Sequence, residues 1–195
     1  MQFKVKGINF NLSFSFLAVF LFYYLNNDLQ IYLSALISVF VHECIHLLLI
    51  VICGGKISCI KLNIFGGNMQ RDSSVILQDS SEALISIAAP LSNIIIFFLD
   101  FTMKREITDW GAVNLVLGAI NILPFYDFDG GRFLYYILRN RCSEKSFFLF
   151  QFRISLFLTI LLTGITITII ILYKSNYILI IFNLYVIFSL IFIKK

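Results

Sequence analysis

The stretch Val41-His42-Glu43-Cys44-Ile45-His46 decides how this chain is read. It lies inside an apolar run, roughly residues 31–53, long enough to cross a bilayer as one helix. On a helix, His42 and His46 stand one turn apart, about 6 Å of rise, and both imidazoles leave the same face. Two ring nitrogens placed this way can bind one Zn2+, each at about 2.0–2.1 Å. Glu43 follows the first histidine, where its carboxylate can reach a water on the metal and take its proton. The competing reading of an isolated histidine is a satisfied core residue. That reading is weak here, because ionisable groups inside membrane-spanning helices are expensive and functional by default. Three of them within about a turn of an apolar helix need a common explanation, and a metalloprotease-type site supplies one.

Working outward, composition sets the class. Only 13% of the 195 residues are charged and 59% are hydrophobic, with mean hydropathy +0.92. Ordinary soluble domains carry about a quarter charged residues, so the chain reads as an all-α integral membrane protein. Its length allows a single membrane-embedded domain over residues 1–195 and no substantial soluble domain beside it. Cys44, Cys53, Cys59 and Cys142 lack secreted-scaffold spacing and read as free thiols. The net charge of +4 tracks membrane topology and does not point to nucleic acid.

About six transmembrane helices are expected. Residues 1–8, with Lys4 and Lys6, form a basic lead before an apolar segment over 9–25. The histidine-bearing span follows and ends at Cys53-Gly54-Gly55, with glycine in the usual place past a helix end. Residues 56–80 alternate in part and turn at Phe65-Gly66-Gly67-Asn68. They predict a short interfacial β-hairpin between the second and third spans, whose open edge could receive an extended substrate. Residues 82–101 form the third span, with Ser80-Ser81 near its cap, Pro90 inside it and Asn93 one turn on, placed for a helix–helix hydrogen bond. Residues 110–124 are short for a straight crossing and run into Asn121-Ile122-Leu123-Pro124-Phe125-Tyr126-Asp127-Phe128-Asp129-Gly130-Gly131. Pro124 and the glycine pair should break the helix there, and broken helices in membranes line cavities. Residues 147–173 and 177–193 complete the spans.

Charge gives orientation. The lead, the loops after the second and fourth spans, and the tail hold most of the Lys and Arg, whereas the other side holds only Lys104, Arg105 and Lys174. Positive-inside then places both termini in the cytoplasm. The second and fourth spans both run inward, so His42, His46 and Asp129 reach similar depth on one side. Catalytic zinc usually has three protein ligands and one water. Asp129 is therefore the expected third ligand, with Asp127 and Cys53 as rivals. Glu43 is the expected acid/base of metal-assisted peptide hydrolysis, and Asn121 the residue that steadies the oxyanion or the substrate backbone.

These motifs resemble the site-2 intramembrane metalloproteases. The likeness rests on H-E-x-x-H in a transmembrane helix, Pro90-x-x-Asn93, and Asn121-x-x-Pro124 followed by Asp129-Gly130-Gly131, over about residues 35–140. The branch that looks closest is the stage IV sporulation protein FB type. The resemblance implies His42, His46 and Asp129 as zinc ligands, Glu43 as catalytic acid/base and Asn121 as the motif asparagine. It also implies a membrane-associated substrate, such as a sporulation sigma-factor precursor, and inhibitory membrane-protein partners. Where that family commonly has proline two residues before the ligand aspartate, this chain has Asp127. The same protease chemistry on another membrane-anchored peptide precursor, or a non-proteolytic metal-binding membrane protein, are the alternatives. The nearly apolar last two spans speak against a transporter.

Overall fold

The apolar run around the histidines folds as one helix. The structure is a computed structural model and describes residues 2–5, 8–12, 29–63, 66–71, 75–126, 128–173 and 177–192. In chain order its elements begin with strands β1 (Gln2–Val5) and β2 (Ile8–Leu12) and helix α1 (Leu29–Ile52). Strands β3 (Ile57–Asn63) and β4 (Gly66–Arg71) follow, then helices α2 (Asp79–Lys104) and α3 (Asp109–Ile122). The chain ends with α4 (Asp129–Leu138), α5 (Glu144–Tyr173) and α6 (Tyr177–Phe192). Contacts divide it into two units, Met1–Ile122 and Leu123–Lys195.

In the first unit, α1 has 24 residues, about 36 Å of helix at 1.5 Å per residue, enough to cross a bilayer core. It stops at Gly54, whose φ of 84° is left-handed backbone that glycine adopts at no steric cost. The amides of Gly54 and Gly55 close the end on the Val51 and Ile50 carbonyls. Helix α2 runs unbroken through Pro90 and starts at Asp79, ahead of the expected Ser80-Ser81 cap, with Gln78 as the capping residue. Asp79 and Glu82 in its first turn complement the positive end of the helix dipole. Helices α2 and α3 pack closely: a Cβ on Gly118 would stand 2.8 Å from the Pro90 carbonyl oxygen. Small residues allow this approach in membranes, where packing takes over from hydrophobic burial as the driving force.

The same unit holds a four-stranded sheet in the order β1-β2-β3-β4. β1 and β2 are antiparallel, with Phe3 opposite Phe10. β2 and β3 are parallel, with Asn9 opposite Cys59. β3 and β4 are antiparallel, with Ile60 opposite Met69, and residues 64 and 65 between them lie outside the described residues. This corrects two expectations. The chain is mostly helical but not all-α, and the helix expected over 9–25 does not begin at residue 9. Ile8-Asn9-Phe10-Asn11-Leu12 alternates apolar and polar residues with period two, the pattern of a strand, and β3 satisfies its backbone. Residues 13–25 lie outside the described residues.

In the second unit, Leu123–Phe128 is non-helical up to the start of α4, and Asp127 within it lies outside the described residues. Pro124 cannot continue a helix, and the Phe125 carbonyl accepts the Phe128 amide at 3.2 Å. That carbonyl also occupies the space where a Cβ on Gly131 would sit. The segment is tied to α5 by the Ser155 hydroxyl, which donates to the Pro124 carbonyl at 3.4 Å. Polar side chains of α5 turn inward: Gln151, Ser155, Thr159 and Thr166 are buried. Asn183 of α6 is buried too, donates to Thr166 Oγ1 and accepts from Thr163 Oγ1 at 3.2 Å. Helices α5 and α6 are therefore joined by hydrogen bonds that composition alone hides.

Among the described residues, α1, α2 and α5 are long and apolar enough to cross a membrane. Helices α3 and α6, with 14 and 16 residues, are shorter than a full span.

Candidate functional site

Helix α1 presents Ser38, His42 and His46 at four-residue spacing on one face. His42 is buried and His46 half-buried. Their rings meet edge to face with centroids 4.9 Å apart, and their Nε2 atoms are 3.3 Å apart. The other nitrogen of each ring is engaged by α2. His46 Nδ1 lies 3.0 Å from the Ile85 backbone oxygen, which can only accept, so Nδ1 carries the proton. His42 Nδ1 lies 2.7 Å from Asn93 Oδ1 and donates likewise. In the neutral rings with these tautomers both Nε2 atoms are acceptors, and they face each other across 3.3 Å.

That separation fits a metal. Two nitrogens at about 2.0–2.1 Å from one tetrahedral ion stand about 3.3–3.4 Å apart. Metal-ligating histidines characteristically donate their other N–H to a carbonyl or carboxylate, which fixes the tautomer and ring orientation. Both histidines meet that condition.

Glu43 is half-buried on α1, next in sequence to His42 and so about 100° around the helix from it. Asp129 opens α4 and is buried, at 6% exposure. Its helix start is fixed by the Arg132 amide on the Phe128 carbonyl and by the close seat of Gly131 on Phe125. Asp129, in the second unit, is a carboxylate of the kind that can serve beside two imidazoles as a metal ligand. Among the rivals, Cys53 lies in the turn that closes α1, its amide on the Leu49 carbonyl at 2.9 Å, and Asp127 is outside the described residues. Asn121 is half-buried near the end of α3 and donates from Nδ2 to the Leu117 carbonyl at 3.0 Å.

Asn93 does join helices, as its place in an apolar run predicted, but its acceptor goes to His42. Two further residues went unnoticed in the sequence. Asn114 of α3 is fully buried against Asn93, and Ser38 of α1 is fully buried against Asn114. The available signal was positional: Ser38 precedes His42 by four residues, and Asn114 precedes Gly118 by four, which places each pair on one helix face.

No protein-family model matches this sequence, and no curated protein matches it. Among solved structures, the chain is similar to the site-2 protease from Methanocaldococcus jannaschii, with a TM-score of 0.66 and 25% sequence identity. The match covers 97% of this chain and 93% of that one. This likeness supports an intramembrane protease, and the paired imidazoles of His42 and His46 are consistent with a metalloprotease. Together with three apolar helices of spanning length, it supports a membrane protein.

Proposed function

We propose that this chain is an intramembrane zinc metalloprotease that cleaves a membrane-associated protein near the cytoplasmic face. The observation that carries the reading is the pair of Nε2 atoms 3.3 Å apart, each ring held by an acceptor on its other nitrogen. Two imidazoles held in these tautomers bring two acceptor nitrogens to the separation that one shared cation suits. In this reading His42, His46 and Asp129 hold the zinc. When bound, the metal polarises the scissile carbonyl and lowers the pKa of a water toward neutrality. Glu43 would be the acid/base, taking one proton from the attacking water as the C–O bond forms and passing it to the leaving amine as the C–N bond breaks. Asn121, through the amide hydrogen not spent on Leu117, steadies the oxyanion or the substrate backbone.

The topology that goes with this reading has about six spans, both termini cytoplasmic, and the β3–β4 pair at the membrane interface. A sporulation sigma-factor precursor is one substrate of the required kind, and another membrane-anchored peptide precursor is the other. Inhibitory membrane-protein partners would act on the same site, and no nucleic acid is involved. The test is co-expression with a sigma-factor precursor and a panel of membrane-anchored peptides, beside Glu43→Gln. Cleavage by the parent and not by the variant supports the reading, and the cleaved member identifies the substrate class. A zinc-loaded parent that cleaves none of them overturns the protease function.

A further inference from the structure

The orientation of Asn93 is set by a residue that touches neither histidine. Asn114 Nδ2 lies 2.9 Å from the Trp110 backbone oxygen and 2.8 Å from Ser38 Oγ. A backbone carbonyl can only accept, so this end of the Asn114 amide must be the donor. Asn114 Oδ1 then faces the opposite way and accepts from Asn93 Nδ2 at 2.8 Å. With its amide nitrogen committed there, Asn93 has only Oδ1 left for His42, 2.7 Å from Nδ1. Ser38, Asn93 and Asn114 are all at 0% exposure, so water is not at hand to satisfy a reversed amide. Reversing Asn114 would set its oxygen against the Trp110 carbonyl and its NH2 against the NH2 of Asn93, leaving buried groups unpaired.

We propose that Asn114 is a positioning residue for the metal centre: acting through Asn93, it fixes His42 as the tautomer whose Nε2 is unprotonated and can ligate. Direction enters the relay at the Trp110 carbonyl and passes through two side-chain amides to the imidazole. His46 needs no such relay, because its acceptor is itself a backbone carbonyl. Without Asn114, Asn93 could turn its NH2 toward His42, and the ring would then carry its proton on Nε2, where the ligand lone pair is required.

The inference rests on the metal-binding reading above, and the experiment separates the two. The first measurement is the 15N spectrum of the histidines in the metal-free parent, at a pH where both rings are neutral. The expected result is His42 protonated at Nδ1 alone; a ring protonated at Nε2, or a mixture, overturns the proposal without any variant. The second is Zn2+ affinity by competition with a chelating dye, in Asn114→Leu and in the parent. Loss of such outer-shell partners typically costs about 10–100-fold in metal affinity, and that loss is expected with a mixed His42 tautomer. The third repeats the substitution in an Asn93→Asp background. A carboxylate has only acceptors to offer, so residue 114 no longer decides the tautomer and Asn114→Leu should cost little there. An equal loss in both backgrounds means that Asn114 is merely structural and overturns the proposal, as does parental affinity in Asn114→Leu. A parent that binds no zinc but shows the Nδ1–H tautomer sinks the metal reading and leaves the relay standing.

Discussion

His42 and His46 face each other through Nε2 atoms 3.3 Å apart while α2 engages the opposite nitrogen of each ring. In the absence of a cation this is a poor arrangement: two lone pairs occupy a part-buried space that neither ring can leave without losing a hydrogen bond. A bound metal converts the repulsion into two coordinate bonds. Zinc should therefore stabilise the fold, because it binds the folded state and not the unfolded one. At a free concentration 100 times Kd the gain is about 2.7 kcal/mol. Calorimetry in detergent should show a melting temperature that falls on chelation and recovers with Zn2+. In His46→Ala the metal-dependent part of the shift should vanish.

Glu43 is next to His42 in sequence but on a different face of the helix, so in the proposed reading it serves the reaction without serving the metal. Glu43→Gln keeps the shape and removes the base. Zinc content measured by elemental analysis should match the parent, while turnover should drop by about 10²–10⁴-fold, the usual contribution of a positioned acid–base group. Loss of zinc in this variant would mean that Glu43 is itself a ligand.

Asp129 and Asp127 compete for the third ligand position. Asp129 is buried at the first turn of α4, where an ionised carboxylate needs a partner such as a metal, or is costly. Asp129→Asn should therefore lower zinc content more than Asp127→Asn, measured on protein purified without added metal. The reverse order would move the ligand to Asp127.

What the sequence revealed depended on whether a feature was local. Helix α1 was legible because its apolar length, its histidine spacing and the Gly54 stop all lie in one stretch. The break before Asp129 was legible because Pro124 acts on its own backbone, whereas Gly130 and Gly131, expected to interrupt the helix, lie inside α4, where Gly131 admits the close approach of Phe125. β2 was not, because Ile8–Leu12 leads into a Phe-rich apolar run, and only its parallel partner, about 50 residues on, reveals the alternation as a strand. The relay was hidden for a related reason. Ser38 and Asn114 are single polar residues in apolar helices, separated by 76 positions, and nothing in either helix names its partner. Asn93 stood out as polar, yet which of its two ends meets His42 is decided by the Trp110 carbonyl.

The relay depends on how near α2 and α3 come to each other, and Gly118 sets that approach. The first atom added there, a Cβ, would lie 2.8 Å from the Pro90 carbonyl oxygen and 3.2 Å from Asn93 Cβ. The Pro90 obstacle is backbone, so no rotamer change relieves the contact and the helices must move apart. Gly118→Ala should therefore destabilise the protein by about 1–3 kcal/mol, the range for overpacked cores. Because Asn114 lies one turn away on the same face, the substitution should also lengthen its bond to Asn93 and weaken zinc binding. Gly164 on α5 supplies the opposite case, since among the described residues nothing beyond its own helix backbone and chain neighbours lies within 4 Å of a Cβ built there. Gly164→Ala gains helix propensity with no clash and should stabilise by about 0.5–1 kcal/mol. Thermal melts and zinc titrations of the two variants would check the pair. Opposite signs in stability, with zinc affinity lowered only in Gly118→Ala, are the outcome that close α2–α3 packing requires.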